Sequence, residues 1–424
     1  MPNLRFIALV ALAGAGACAG AASRDGSASA PDAARVRRDI EYLAGDALAG
    51  RGTGTPGNDS AAGWAARRYA ALGLLPMAPG YLQSFTARSA MLAHSGGPAE
   101  LKSQNVVAFL PGSDPALRGQ AIVIGAHIDH LGRSTAGALD PEARDAIRNG
   151  ADDNASGSAA VLELARLLSA RPLRRSVLFV NFSGEELGLL GSQHFVEHSP
   201  VPVDSMIAML NFDMVGRLRD NALIVYGVAT AREMPAVLDS ANRSIGLAIR
   251  GVGDGFGPSD HSSFYARNVP VLHFFTNTHE DYHRATDDAD KINAEGAARV
   301  IALAERVARE IDRRDSRLTF VRAAAPVTTS GARSGAQVYL GSVPDMAGGD
   351  TPGLRLTGVR AGSPADSAGI KAGDIVVELG GKAVTDLQSY SDALYSFKPG
   401  DVVAIVVMRG TERLTMRVRL GQRG

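Results

Sequence analysis

Glu185 and Glu186 stand side by side directly after Ser176 to Phe182 (SVLFVNF), a β-branched and aromatic run with the composition of a buried strand. Two adjacent carboxylates at the end of an apolar strand are costly to desolvate unless a positive group faces them. A divalent metal answers that need: one carboxylate binds it, and the other is left to take a proton from metal-bound water. On this stretch alone a solvated acidic loop answers equally well. The balance shifts because residues of metal-binding type end other strands in the same way. Ala121 to Ala126 (AIVIGA) runs into His127-Ile128-Asp129-His130, where strand alternation points His127 and Asp129 the same way. A carboxylate beside an imidazole fixes its tautomer for metal binding. Ile207 to Phe212 ends at Asp213, Asp152 and Asp153 open a helix, and His283 follows the strand Val269 to Phe275. Two histidines and three or four carboxylates, with no thiol, suit a pair of borderline cations such as zinc. A carboxylate shared by two metals about 3.5–4 Å apart is a two-metal hydrolase arrangement.

These residues need a scaffold, and the chain spells one out. Helical spacing runs from Asp32 to Leu75, broken by the loop Gly50 to Gly57, with a second helix expected from Ser60 to Leu72. No strand precedes that Gly-rich loop and no Lys-Ser/Thr follows it, so it does not read as a phosphate cradle. Further helices are expected up to Ala170 (capped by Asn154 or Ser156), over Leu187 to His198, over Met234 to Ile245 and over Glu295 to Asp312. Strands are expected over Asn105 to Leu110 and Leu223 to Val228 as well. Buried strands alternating with helices predict an α/β fold: a mostly parallel sheet with helices on both faces. Ligands bind such sheets beyond the carboxyl ends of the strands, where His127, Glu185, Glu186 and Asp213 fall.

The 424 residues carry 44 basic and 44 acidic side chains, a balance that gives no support for a nucleic-acid partner. Residues 1–18 read as a signal peptide: Arg5, then an apolar run from Phe6 to Ala17 too short to span a bilayer. Ala15-Gly16-Ala17-Cys18 resembles a bacterial lipobox, which would make Cys18 the lipidation site and a lipid anchor the sole membrane contact. Export to the periplasm or cell envelope follows as an expectation. Cys18 is the only cysteine, so disulfides and thiol ligands are excluded. Residues 19–31 read as a flexible tether.

Five stretches in order resemble the M28 family of zinc aminopeptidases: Gly125 to Asp129, Gly150 to Gly157, Ser183 to Glu186, Asn211 to Met214 and Asp281 to His283. The likeness covers the expected domain at 32–322 and implies a phosphorylase/hydrolase-like (zinc exopeptidase) α/β sandwich holding two Zn2+ ions. By that resemblance Asp152 bridges the ions, His127 and Asp213 complete one site, and Glu186 and His283 complete the other. Glu185 is the general base acting on the bridging water, Asp129 orients His127, and the Asp152-Asp153 peptide is cis. Tyr282 would donate to the oxyanion, and His261 would line the pocket or support it from behind. Peptides with a free N-terminus would be the substrates. The segment Ala78 to Gln104 is too short for the protease-associated domain many relatives carry.

Residues 323–335 (AAAPVTTSGARSG) read as a linker, and 336–424 resembles a PDZ domain, a small β-rich fold with one helix at Leu387 to Phe397. The resemblance implies that Tyr339-Leu340-Gly341 binds the carboxylate of a peptide C-terminus. Two other readings stay open: the same fold with glutaminyl cyclase or carboxypeptidase chemistry, or a non-catalytic peptide-binding protein. A second set of ligands (His127 and Asp213) speaks against a one-zinc cyclase, and Glu185 speaks against loss of catalysis.

Overall fold

Four strands make the centre of the large sheet: β4 (Ala121–His127), β5 (Ser176–Phe182), β6 (Met206–Phe212) and β9 (Val271–Phe275). They run parallel in the order β5-β4-β6-β9. Every residue of β4, β5 and β6 is buried, which is why the sequence shows continuous apolar runs there instead of alternation. Flanking them are β1 (Leu75–Pro76), β2 (Leu82–Arg88), β3 (Glu100–Leu110), β7 (Ala222–Tyr226) and β8 (Ala248–Val252). The full order is β1-β3-β5-β4-β6-β9-β7-β8, with β2 paired to β3. The sheet is thus mostly parallel in its core and antiparallel where β3 meets β5 and β7 meets β9. This computed structural model describes residues 30–88, 100–322 and 338–422, less 136, 141, 258, 345–352, 386–388, 391, 392 and 395. The expected signal peptide with Cys18, most of the tether and the linker lie outside the described residues.

Alternate strand residues feed two layers. Ile122, Ile124, Val177, Phe179 and Leu210 face α1 (Ala33–Leu43), α2 (Pro56–Ala71), α3 (Gly157–Ala170) and α7 (Ala294–Asp312). Val123, Leu178, Val180 and Phe182 face α4 (Leu190–Glu197) and α6 (His261–Ala266). A further helix, α5 (Met234–Asn242), packs on α7. Each fully buried Leu, Ile or Phe contributes about 1.5–3 kcal/mol. Helix starts follow local chemistry. The α2 helix begins at Pro56, four residues before the expected Ser60, because Thr55 caps it and Pro56 takes the first turn. Asn293 caps α7, accepting from Gly296 N at 2.9 Å. Asn154, one of the two expected caps of α3, accepts from Gly157 N at 2.8 Å.

The second region is a small antiparallel sheet: β11 (Ser342–Pro344), β12 (Leu354–Val359), β13 (Ile375–Leu379), β15 (Val402–Arg409) and β16 (Glu412–Arg419), in that order. The strand β14 (Lys382–Ala383) pairs with β13, and β10 (Val338–Tyr339) pairs with β17 (Gly421–Gln422). A short helix, α8 (Pro364–Ser367), follows β12. The helix expected at 387–397 is helical at 389, 390, 393 and 394. Among the described residues no helix is long and apolar enough to cross a membrane.

Candidate metal centre

The carboxyl ends of β4, β5 and β6 deliver His127, Glu185, Glu186 and Asp213 to one place, as the topology requires. His127 Nε2 lies 3.3 Å from Asp213 Oδ1 and 3.3 Å from Asp153 Oδ1. His283 Nε2 lies 3.1 Å from Asp153 Oδ2 and 3.2 Å from Glu186 Oε2. Asp153 therefore offers one oxygen to each half of the cluster. Ligand atoms of His127, Asp153 and Glu186, and of His127, Glu185 and Asp213, lie within 4.8 Å of one another.

The shared carboxylate is Asp153, which corrects the expectation for Asp152. Asp152 is buried too, but its Oδ1 accepts from Gly216 N at 2.6 Å and its Oδ2 faces His279 Nε2 at 3.2 Å. The main-chain N–H groups of both residues donate to Asp287 Oδ2 (2.9 and 3.1 Å), which fixes the turn that sends Asp153 inward. The cis peptide is correspondingly Asp153–Asn154, one bond later than expected. Asn154 Nδ2 ties this turn to the end of β6 through Phe212 O at 2.9 Å.

Asp129 lies beside His127, but its main-chain oxygen, 3.1 Å from Nδ1, is nearer than its carboxylate at 3.8 Å. That carboxylate accepts instead from Thr53 Oγ1 (2.6 Å) and Glu185 N (3.3 Å). The loop before α2 thus braces the site. Arg51, fully buried, donates to Ile128 O (2.8 Å), Asn149 O (2.7 Å), Gly150 O (3.0 Å) and Leu43 O. His283 is oriented by Gly137 O at 2.8 Å from Nδ1. His130, absent from the expected set, places Nδ1 2.6 Å from Glu186 Oε1. Its signal was on the page: it is the third residue after His127 in the same stretch. Arg51, Thr53 and Asp287 act across long sequence separations, and no local pattern marks them.

Electrostatics show how tightly the charges are packed. Burial opposes a charge on His127, but Asp213 and Glu185 outweigh it and hold its pKa well above the ordinary value. Burial pushes Glu185 well above the usual carboxylate range. Burial and Asp153 act the same way on Glu186, yet His130 and His283 prevail and bring it down to about 2. His127 Nε2 and Asp213 Oδ1 are buried without a hydrogen-bond partner. Buried polar atoms left so are exceptional and call for an explanation such as an ion. Imidazole nitrogens and carboxylate oxygens without sulfur are a zinc-compatible donor set.

A cavity of about 110 Å³ opens on this cluster, lined by Glu185, Asp213, Met214, Tyr226, Phe275 and Tyr282 among others. Tyr282 stacks on His283 (3.9 Å between rings), and burial pushes its phenol well above the ordinary pKa, so it stays a donor. His261 does not line this cavity. It is fully buried one layer behind, stacked at 4.4 Å on His273, which does. In the small sheet, Leu340 is buried and its carbonyl accepts from Ala365 N, while Gly341 O accepts from Arg360 N. Gly341 has φ +82° and a side chain there would meet Ser363 at 2.2 Å. Tyr339 ends β10, and β11 is the edge strand of its sheet.

The fold and this centre define an α/β domain of the zinc-exopeptidase class. A Zn-dependent exopeptidase from Parabacteroides distasonis superposes with TM-score 0.56 at 18% identity, covering 67% of this chain and 99% of that one. An aminopeptidase from Aneurinibacillus sp. strain AM-1 gives 0.55 at 18%, covering 71% and 98%. Residues 105–308 match Peptidase family M28 and residues 335–420 match the PDZ domain, so the chain carries an M28 peptidase domain followed by a PDZ domain. Aminopeptidase YwaD of Bacillus subtilis is 33% identical over 156 residues, 34% of each chain. Leupeptin-inactivating enzyme 1 of Streptomyces exfoliatus is 30% identical over 190 residues, 44% of this chain and 38% of that protein. The matched part of the chain thus spans about a third of these curated relatives.

Proposed function

We propose that this chain is a zinc-dependent aminopeptidase that removes the N-terminal residue of peptides at a centre of two zinc ions. The observation that carries this is a spacing. Two ligands each about 2.0–2.1 Å from a tetrahedral zinc stand about 3.3 Å apart. The four imidazole–carboxylate distances around Asp153 are 3.1–3.3 Å. His127 and Asp213 would hold one ion, His283 and Glu186 the other, with Asp153 between them.

Bound zinc would supply a Lewis acid and lower the pKa of a water molecule. Glu185 would accept the proton of the attacking water and return it to the leaving amine; its raised pKa suits both halves of that transfer. Tyr282 would donate to the oxygen of the scissile carbonyl as negative charge develops there. The small cavity would take one apolar side chain against Met214, Tyr226 and Phe275, and its carboxylates would attract the substrate ammonium. No lysine or arginine lines it among the described residues, which disfavours a carboxypeptidase.

The PDZ domain would bind a peptide C-terminus at Tyr339-Leu340-Gly341, the peptide adding as a strand beside β11. Export and lipidation at Cys18 rest on the sequence of residues 1–18, and replacement of Cys18 by Ser would remove incorporated radiolabelled palmitate. The deciding assay compares a leucyl-anilide with its N-acetyl form, with and without zinc, for wild type and Glu185→Gln. We expect cleavage of the free-amine substrate alone, dependence on zinc, and a loss of about 10²–10⁴-fold in the variant with zinc content unchanged. Cleavage of the acetylated substrate, or full activity of the variant, refutes the reading.

A further inference from the structure

A second and larger cavity, about 630 Å³, lies on the other side of Glu186. Glu186 is the boundary: its Oε2 faces His283, which lines the small cavity, and its Oε1 faces His130, which lines the large one. The remaining wall comes from the loop and first turn around Gly52 to Ser60, from Leu101, and from Leu131 to Ser134. Leu101, Leu131, Leu187, Ala47, Ala49 and Pro56 make it predominantly apolar, and Arg133 is its one basic side chain.

We propose that this cavity is the subsite for the residue that follows the scissile bond, and that it selects an apolar side chain there. The inference rests on the aminopeptidase reading and extends it to the leaving half of the substrate. A pocket of about 110 Å³ closed by carboxylates has room for the N-terminal residue only, so the rest of a peptide must lie elsewhere against the centre. The large cavity is continuous with the centre through Glu186 and has the size and apolar lining of a small-ligand site. Its walls are fixed in advance. Gly132 N donates to Gly50 O at 3.0 Å, Thr53 binds Asp129, Gly52 bridges to His130, and Arg51 holds the main chain on both sides. A preformed wall lowers the ordering cost of binding.

The test uses the zinc-loaded full chain and two readouts. The first is kcat/KM for Leu-Leu-amide, Leu-Phe-amide and Leu-Gly-amide, expressed as the ratio of each apolar substrate to the glycine one. We expect a ratio of at least tenfold in wild type, falling at least fivefold in Ser60→Trp and in Ala47→Trp, two exposed positions whose new side chains fill the cavity. The second needs no turnover: calorimetric binding of N-acetyl-phenylalaninamide against N-acetyl-glycinamide, neither of which carries the ammonium of an N-terminus. Binding of the phenylalanine compound alone, weakened in both variants, supports the subsite. Ratios near one with no binding overturn it while leaving the aminopeptidase reading intact. Binding without hydrolysis of any dipeptide keeps the cavity as an apolar-residue site and sinks the reaction class instead. Thermal melting and zinc content of each variant separate misfolding from either result.

Discussion

The peptidase domain and the PDZ domain treat buried charge in opposite ways. Among the described residues of the PDZ domain, Asp374 is the one fully buried charge, and it is answered completely. Arg409 meets both its oxygens at 2.8 Å, and Lys371 N donates to it at 2.9 Å. At the carboxyl end of the large sheet, by contrast, Asp153, Glu185, Glu186 and Asp213 crowd together with His127, His130 and His283, and several of their atoms have no partner. A buried pair that closes on itself is structural. A buried cluster that repels itself is held by the fold for something else to complete.

Breaking the two regions should therefore produce different losses. The largest is expected at Asp153. Asp153→Asn removes the carboxylate common to both halves of the cluster, so zinc content should fall and kcat/KM should drop by at least about 10³-fold, the scale of several kcal/mol of metal-supplied stabilisation. Asp152→Asn keeps the acceptor for Gly216 N and should cost no more than about tenfold. Equal losses from the two changes would return Asp152 to the site.

Acid sharpens the comparison further. His273 is held down to about 3 by burial, and His261 well below its ordinary value for the same reason. When unfolded, both would take a proton near 6.5. Between those values protons bind only the unfolded chain, so the stability these residues confer is complete above pH 6.5 and is lost as the pH falls, by about 1.4 kcal/mol per imidazole per unit. The PDZ domain has no histidine, and Arg409 and its other donors outweigh burial to lower the pKa of Asp374. That contribution is present above the ordinary carboxylate value and fades only below it. Denaturant melts of the zinc-loaded chain at pH 7 and pH 5 should show the peptidase transition moving and the PDZ transition standing still. His273→Gln should flatten the slope.

The smallest effect is expected from Arg409→Ala. It leaves Asp374 buried without its partner and should cost the PDZ domain about 1–2 kcal/mol, discounted because the guanidinium is partly exposed. Dipeptide hydrolysis should not change. A loss of hydrolysis there would mean that the two regions are coupled after all.

What was legible in the sequence follows the same division. Strands buried on both faces announce themselves as apolar runs, and β4, β5 and β6 lie within a residue of where those runs put them. The strands β2, β8 and β16 are partly exposed and mix charge with apolar residues, so periodicity did not mark them. The strand ends named His127, Glu185, Glu186 and Asp213 because position along a strand decides where they emerge. It could not choose between Asp152 and Asp153, since adjacent residues of one type differ only in where the main chain turns. That turn is set by Asp287, more than 130 residues away.

The contacts of Arg51 bear on where this protein begins in an evolutionary sense. The stretch recognisable as M28 starts at residue 105, yet the guanidinium that holds residues 128, 149 and 150 in place, and the hydroxyl that engages Asp129, belong to residues 51 and 53. Shared ancestry is visible over one span and the working unit occupies a longer one. A shortened gene drawn to the boundaries of likeness would keep every residue that could touch zinc and discard the ones that aim them.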